Sequence, residues 1–317
     1  MRTLESFPRL RLGIFPTPIH KLENISRLLG TEVYVKRDDL SGLGLGGNKV
    51  RKLEFLLADA QAQGAEIVFT TGGAQSNHAM LTAAAANRLG MKPILILKKR
   101  GVTARRGNQL LEHLMGTDVR FLDTDDYADI YAEMDRVGQA SGRPYYKIPC
   151  GGSNALGSLG YVACAREIRD QGMTFDHILC AEGSGGTMAG LALGAKLFLP
   201  GTRVSGMMVD SDPFDQITPA LMREAAALLE ADVEIGAEDF SLRDMCGPGY
   251  AIPSPEGNRA VALMAEREGL FLDPVYTGKA FAGLLAMAEE GAFAASDRVL
   301  FLHSGGAGGL FAIDTDA

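Results

Sequence analysis

The chain has 317 residues, of which 46% are hydrophobic and 22% charged, and its net charge is -8. That length exceeds what one hydrophobic core usually serves, so two domains are expected. The acidity, with a pI of about 5.2, argues against nucleic acid or an anionic membrane surface as a general partner.

Phe15-Pro16-Thr17-Pro18 reads as an extended or turn segment, because a residue before proline avoids the helical region. A helix is expected over 22–29, ended by Gly30, and a strand over 33–36. A glycine loop, Ser41 to Gly47, then opens a helix over 49–63 that carries Leu53, Leu56, Leu57 and Ala60 on one stripe. After it the pattern alternates: strands over 67–70, 93–97, 119–122, 145–148, 178–181 and 204–209, and helices over 77–89, 107–115, 127–140, 157–170 and 187–199. Helices over 218–230, 256–268 and 278–290 precede a last strand over 298–302. Alternating elements with strands rich in Val, Ile and Leu predict an α/β fold of parallel sheets covered by helices on both faces. Pro213, Pro219, Pro248, Pro253 and Pro255 suggest long connections between 210 and 255.

Cys150, Cys164, Cys180 and Cys246 show no CxxC spacing, and each falls in or beside an apolar segment. Buried reduced thiols and a cytoplasmic compartment are therefore expected. Residues 1–12 lack the apolar core of a signal peptide, and no run approaches membrane-spanning length. His20, His78, His113, His177 and His303 form no metal-ligand spacing, so no metal is expected.

Four glycine loops follow strands or open helices, where α/β proteins bind ligands. The first runs into Asn48-Lys49-Val50-Arg51-Lys52. Three cations at a helix start oppose the macrodipole and call for a negative partner, for which a phosphate would suffice. Neighbouring cations also lower the pKa of Lys49 toward the free amine a Schiff-base lysine needs. The second loop, Thr70 to His78, offers backbone donors, Gln75, Ser76 and Asn77 to a carboxylate, although Ser76 alone reads as a helix N-cap. The third, Glu182-Gly183-Ser184-Gly185-Gly186-Thr187, forms a phosphate nest without the lysine of a P-loop. The fourth, His303-Ser304-Gly305-Gly306, suggests backbone packed against a flat ligand. Tyr250 and Tyr276 sit in loops, where a phenol can move a proton, though either alone reads as a half-buried loop tyrosine. Gly42, Gly44 and Gly47 satisfy GxGxxG, but they do not directly follow a strand, and no acidic residue closes a second strand. A nicotinamide-dependent dehydrogenase is therefore the minor alternative.

Together, Pro16-Thr17-Pro18, Lys36-Arg37-Asp38-Asp39, Gly46-Gly47-Asn48-Lys49-Val50-Arg51-Lys52-Leu53-Glu54, Gln75-Ser76-Asn77-His78, Gly151-Gly152-Ser153-Asn154, the third loop, Asp273-Pro274-Val275-Tyr276 and His303-Ser304-Gly305-Gly306 resemble one family. It is the D-cysteine desulfhydrase and 1-aminocyclopropane-1-carboxylate deaminase family of pyridoxal-phosphate enzymes, of the tryptophan-synthase-β type (fold type II). The resemblance implies pyridoxal 5'-phosphate as cofactor, with Lys49 as Schiff-base lysine and proton shuttle. Lys52 and Gly183, Ser184, Gly185, Gly186 and Thr187 would hold the phosphate, and Asn77 the ring hydroxyl. Thr277 and Ser304 would lie at the cofactor, Ser76 and His78 beside the substrate carboxylate, and Tyr250 and Tyr276 facing the substrate. A small domain, 51–159, would be inserted into a large one made of 1–50 and 160–317, in a homodimer. The implied reaction is α,β-elimination from a small cysteine-like amino acid. Thr277 stands where the deaminases are drawn with a glutamate, which favours D-cysteine losing sulfide, then L-cysteate losing sulfite, over the cyclopropane substrate. A non-catalytic ligand-binding protein on the same fold is the alternative from another class.

Overall fold

The structure, a computed structural model, describes residues 1–313. Its elements in chain order are β1 (Ile19–Lys21), α1 (Glu23–Leu29), β2 (Glu32–Lys36), α2 (Lys49–Ala62), β3 (Ile67–Thr70), α3 (Asn77–Arg88), β4 (Lys92–Lys98), α4 (Asn108–Leu114), β5 (Asp118–Leu122), α5 (Tyr127–Ser141), β6 (Tyr145–Lys147), α6 (Ala155–Asp170), β7 (His177–Glu182), α7 (Gly186–Phe198), β8 (Arg203–Met208), α8 (Phe214–Leu228), β9 (Ser241–Asp244), α9 (Pro255–Glu268), α10 (Thr277–Glu289), β10 (Arg298–Leu302) and α11 (Ala307–Leu310). They build two sheets, ordered β1-β2-β10-β7-β8-β9 and β5-β4-β3-β6. The second takes all its strands from between Ile67 and Lys147, and the first draws on both flanking parts of the chain.

One strand departs from the parallel expectation. β1 runs antiparallel to β2 at the sheet edge, while the other pairings are parallel. β1 and β9 are short edge strands of three and four residues, too short to show a hydrophobic period.

Alternation along each strand divides the core. Ile178, Cys180, Leu300 and Leu302 face the layer of α6, α7 and α8, and Leu179, Val299, Phe301, Val33 and Val35 face α1, α9 and α10. In the second sheet Val68 packs under α2 and α3, and Ile67, Phe69, Ile94 and Ile96 pack on α5. The layer above β7 is tight because α6 offers Gly160, where a Cβ would stand 2.5 Å from the Arg51 carbonyl of α2.

Two boundaries move. Asn154 caps α6, its side chain accepting from the Gly157 N–H, so the helix begins before Gly157. α8 begins at Phe214 rather than 218, so Pro219 lies inside it rather than at its start. Burial of Phe214, Thr218, Met222 and Ala225 along one face outweighs the single backbone bond that the proline forgoes. Among the described residues no helix is long and apolar enough to cross a membrane, and no group of His, Cys, Asp and Glu could hold a metal.

Candidate active site

The loops at the carboxyl ends of both sheets meet around one cavity, the place where α/β folds hold ligands. Lys49 enters it as the first residue of α2. The glycine loop before it is shaped by its own backbone. At Gly46, with φ of +73°, a Cβ would collide with the Asp39 carbonyl, and this accounts for the glycine without any dinucleotide. The Gly47 N–H donates to the Asp38 carbonyl at 3.0 Å, and the Asn48 N–H to the Ser304 carbonyl at 3.0 Å. These bonds tie the helix start to the loop after β10.

The three cations of this turn part company. Arg51 is fully buried and faces away from the cavity. Its guanidinium donates twice to Asp38, both at 2.8 Å, twice to Glu167, both at 2.9 Å, and to the Thr17 hydroxyl. Its negative partners are therefore protein carboxylates, which corrects the expectation that all three cations await a phosphate. Lys49 and Lys52 stand three positions apart on the other face. Burial first holds the Lys49 ammonium below its usual value, with Cys150 and Glu182 pulling it back up. Burial pushes Lys52 well down, and repulsion from Lys49 adds to it.

Lys52 lies beneath the cavity lining rather than on it. Its Nζ donates to the Gly151 carbonyl at 3.1 Å and to Ser153 Oγ at 3.2 Å. Ser153 Oγ in turn accepts from the Gly186 N–H at 3.1 Å and donates to Ser184 Oγ at 2.9 Å. A Cβ on Gly186 would stand 2.8 Å from Ser153 Oγ and 2.9 Å from Lys52 Nζ, so glycine keeps this cradle open. Asn48 Nδ2 donates to Thr187 Oγ1 at 3.0 Å across the same gap. A buried ammonium, two serine hydroxyls and the N-terminal turn of the 13-residue α7 suit a phosphate ester, and a part-buried amine of lowered basicity opens onto the same cavity.

Other residues named from the sequence line the same cavity. Gly183, Ser184, Gly185, Thr187 and Ser304 line the cavity, as do Ser76, Asn77 and His78. Ser76 is also the N-cap of α3, accepting from the Ala79 N–H at 3.2 Å, so the plain capping role and the site position coexist. Asn77 Oδ1 accepts from Asn108 Nδ2 at 2.8 Å. Thr70 Oγ1 donates to the Ile148 carbonyl at 2.9 Å, so its contact with His78 Nε2 at 2.8 Å makes that nitrogen the donor. His78 Nδ1 is then an unpartnered acceptor. Burial, with Lys49 and Lys52 nearby, pushes the ring well below its usual pKa and keeps it neutral.

Tyr250 and Tyr276 meet hydroxyl to hydroxyl at 2.5 Å, rings edge to face. Burial raises both phenols, so both stay protonated. Asp273 fixes the second tyrosine by accepting from the N–H groups of Val275, Tyr276 and Thr277 at 2.8 to 2.9 Å. Thr277 departs from expectation. It does not line the cavity, and its hydroxyl donates to Asp273 Oδ1 at 2.7 Å and accepts from the Asp273 N–H at 2.8 Å, so it is spent on the turn ahead of α10.

Residues that the sequence did not single out complete the wall: Lys98, Arg100, Tyr127, Cys150 and Asp210. Cys164 and Cys180 are buried as expected, but Cys150 and Cys246 are partly exposed. Cys150 faces the cavity and accepts from the Tyr127 hydroxyl at 3.2 Å. The unassigned Gly151-Gly152-Ser153-Asn154 motif was the available signal for this wall.

The profile of the family described as pyridoxal-phosphate dependent enzyme matches residues 10–305. A Pyrococcus horikoshii protein named "Putative 1-aminocyclopropane-1-carboxylate deaminase" is 42% identical, the alignment covering 97% of this chain and 94% of that one. A solved structure of an ACC deaminase homologue, also 42% identical, superposes with a TM-score of 0.91 over 97% of this chain and 94% of the other. A hydrogen sulfide-producing enzyme from Fusobacterium nucleatum, at 17% identity and a TM-score of 0.68 over 93% and 94% of the two chains, shares the fold alone. The chain belongs to the pyridoxal-phosphate dependent enzymes of the tryptophan synthase β-like fold, fold type II, and its cofactor is pyridoxal 5'-phosphate.

Proposed function

We propose that this enzyme is a carbon–sulfur lyase that eliminates sulfide from D-cysteine, giving pyruvate and ammonia. The observation that carries the reading is the place of Thr277. The residue after Tyr276 is neutral and its hydroxyl is spent on Asp273, so this position offers no carboxylate to a protonated ring nitrogen. Such a site suits loss of a good leaving group from Cβ better than opening of an unactivated cyclopropane.

Bound pyridoxal phosphate supplies the sink for the electron pair left when the Cα–H bond breaks. Lys52, Ser153, Ser184 and the first turn of α7 would hold its phosphate. Lys49 Nζ, poised toward the free amine, would take the Cα proton. Ser76 Oγ accepts from Ala79 but keeps its own proton to donate to the substrate carboxylate at the start of α3. In the tyrosine pair one hydroxyl donates to the other, which leaves one phenol proton for the departing sulfur. D-cysteine and water would give pyruvate, ammonia and hydrogen sulfide.

A second reading, 1-aminocyclopropane-1-carboxylate deamination, draws on the names of the relatives at 42% identity. The test is a parallel assay of cofactor-loaded protein on D-cysteine, L-cysteate and 1-aminocyclopropane-1-carboxylate, following sulfide, sulfite and 2-oxobutyrate, with Lys49→Ala as control. Sulfide lost in the control supports the lyase. Sulfite alone moves the leaving group to a sulfonate, and 2-oxobutyrate as main product overturns the proposal.

A further inference from the structure

Glu182 ends β7 and opens the third glycine loop, and neither the core nor the elimination chemistry uses its carboxyl. The side chain is 1% exposed. Its Oε1 accepts from the Ser184 N–H at 3.1 Å and from the Gly185 N–H at 2.5 Å, while Oε2 has no partner. Lys52 and Lys49 face it from α2, and Cys180 from its own strand. Burial pushes the carboxyl up, opposed by the loop N–H groups and the two ammonium groups. Of the donors presented by this loop and the first residue of α7, two therefore end on Glu182 and a third, from Gly186, on Ser153.

We propose that Glu182 is an internal anion which occupies the phosphate loop of the cofactor-free chain and competes with the cofactor's phosphate for its donors and for the charge of Lys52. This rests on the reading of the loop as the phosphate site. The arrangement keeps buried N–H groups satisfied before the cofactor arrives, at a cost in cofactor affinity, because an arriving phosphate meets a carboxyl already there.

The test titrates pyridoxal phosphate, and pyridoxal as the analogue lacking phosphate, into cofactor-free wild type, Glu182→Gln and Glu182→Ala, with binding read by absorbance and stability by thermal melting. Glu182→Gln removes charge and keeps shape, and it is expected to tighten pyridoxal phosphate about tenfold while leaving pyridoxal within about twofold. Cofactor-free Glu182→Ala, which leaves the Ser184 and Gly185 N–H groups without their acceptor, should also melt lower, and gain more on adding pyridoxal phosphate, than the wild type. Tightening in Glu182→Ala alone would assign the competition to the N–H donors rather than the charge. Unchanged or weaker binding of pyridoxal phosphate in both folded variants overturns the proposal and makes Glu182 a loop brace. If wild type binds pyridoxal as tightly as its phosphate, the phosphate-site reading itself falls, and this inference with it.

Discussion

Replacing Arg51 by methionine separates two accounts of the charged turn at the start of α2. The guanidinium is buried against Asp38 and Glu167, with four hydrogen bonds of 2.8 to 2.9 Å to their oxygens. Asp38 also accepts from the Tyr161 hydroxyl at 2.5 Å, and Glu167 from Lys36 Nζ at 2.5 Å. Removing the cation leaves two carboxylates with only Lys36 for charge, a loss of about 3–5 kcal/mol. Unfolding entropy of about 2 cal/mol/K per residue makes that a fall in Tm of about 6 °C for a chain of this size.

The pH dependence carries a second signature. Burial alone would raise Asp38 and Glu167, but Arg51 and Lys36 hold both below their ordinary values. In the wild type their stabilisation is therefore present above the unfolded pKa and lost as pH falls through the lower folded value. In Arg51→Met burial prevails, the carboxyls move up, and stability is lost as pH rises from 5 to 8. Thermal melts across that range measure both effects, and Arg51→Met with Asp38→Asn should recover part of the loss. A variant that melts as the wild type does but binds pyridoxal phosphate far more weakly would refute the reasoning and return Arg51 to the phosphate.

Lys52→Met should weaken pyridoxal phosphate at least about tenfold and pyridoxal little, as read by absorbance titration, because its ammonium lies beneath the Gly186 cradle. Tyr276→Phe breaks the 2.5 Å hydroxyl pair and should lower kcat about a hundredfold with cofactor affinity unchanged, in steady-state kinetics. Glu112 is buried on α4 with Oε1 unpartnered, and burial raises it to about 8. A raised folded pKa gives stability that is full below the unfolded value and fades as pH climbs through about 8. Glu112→Gln should therefore melt higher than wild type at pH 9 and close to it at pH 5.

The long βα alternation was readable because interior strands show as Val, Ile and Leu runs and helices close on glycines such as Gly30 and Gly142. β1 and β9 carry too few residues for a period to show. Lys49 stood out through its glycine loop, yet Arg51 was misread with it because adjacency in sequence was taken for adjacency in space. Consecutive helical residues point about 100° apart, and only the i, i+3 pair of Lys49 and Lys52 shares a face. Thr277 illustrates another limit: threonine readily satisfies nearby backbone, and the carboxylate of Asp273 captured it. Lys98 and Arg100 had no local signal, since they meet the cavity only once the second sheet is assembled, and for Cys150 the only signal was the glycine motif beside it.

The wall of the cavity is divided by origin. Glu182 to Gly185, Thr187 and Ser304 come from strand ends and following segments of the six-stranded sheet, while Ser76 to His78, Lys98, Arg100 and Cys150 come from those of the four-stranded one. Sequence drift at Lys98 and Arg100 can alter what the cavity accepts without disturbing the cradle formed by Lys52, Ser153 and Gly186, whereas Cys150 shares its loop with Ser153 and with the Gly151 carbonyl that Lys52 binds. Such a chain is suited to divergence: one ancestral anchoring apparatus can be inherited intact while the facing segments are retailored to new substrates. For an engineer, the same division marks positions 98, 100 and 127 as a library that leaves the anchor untouched.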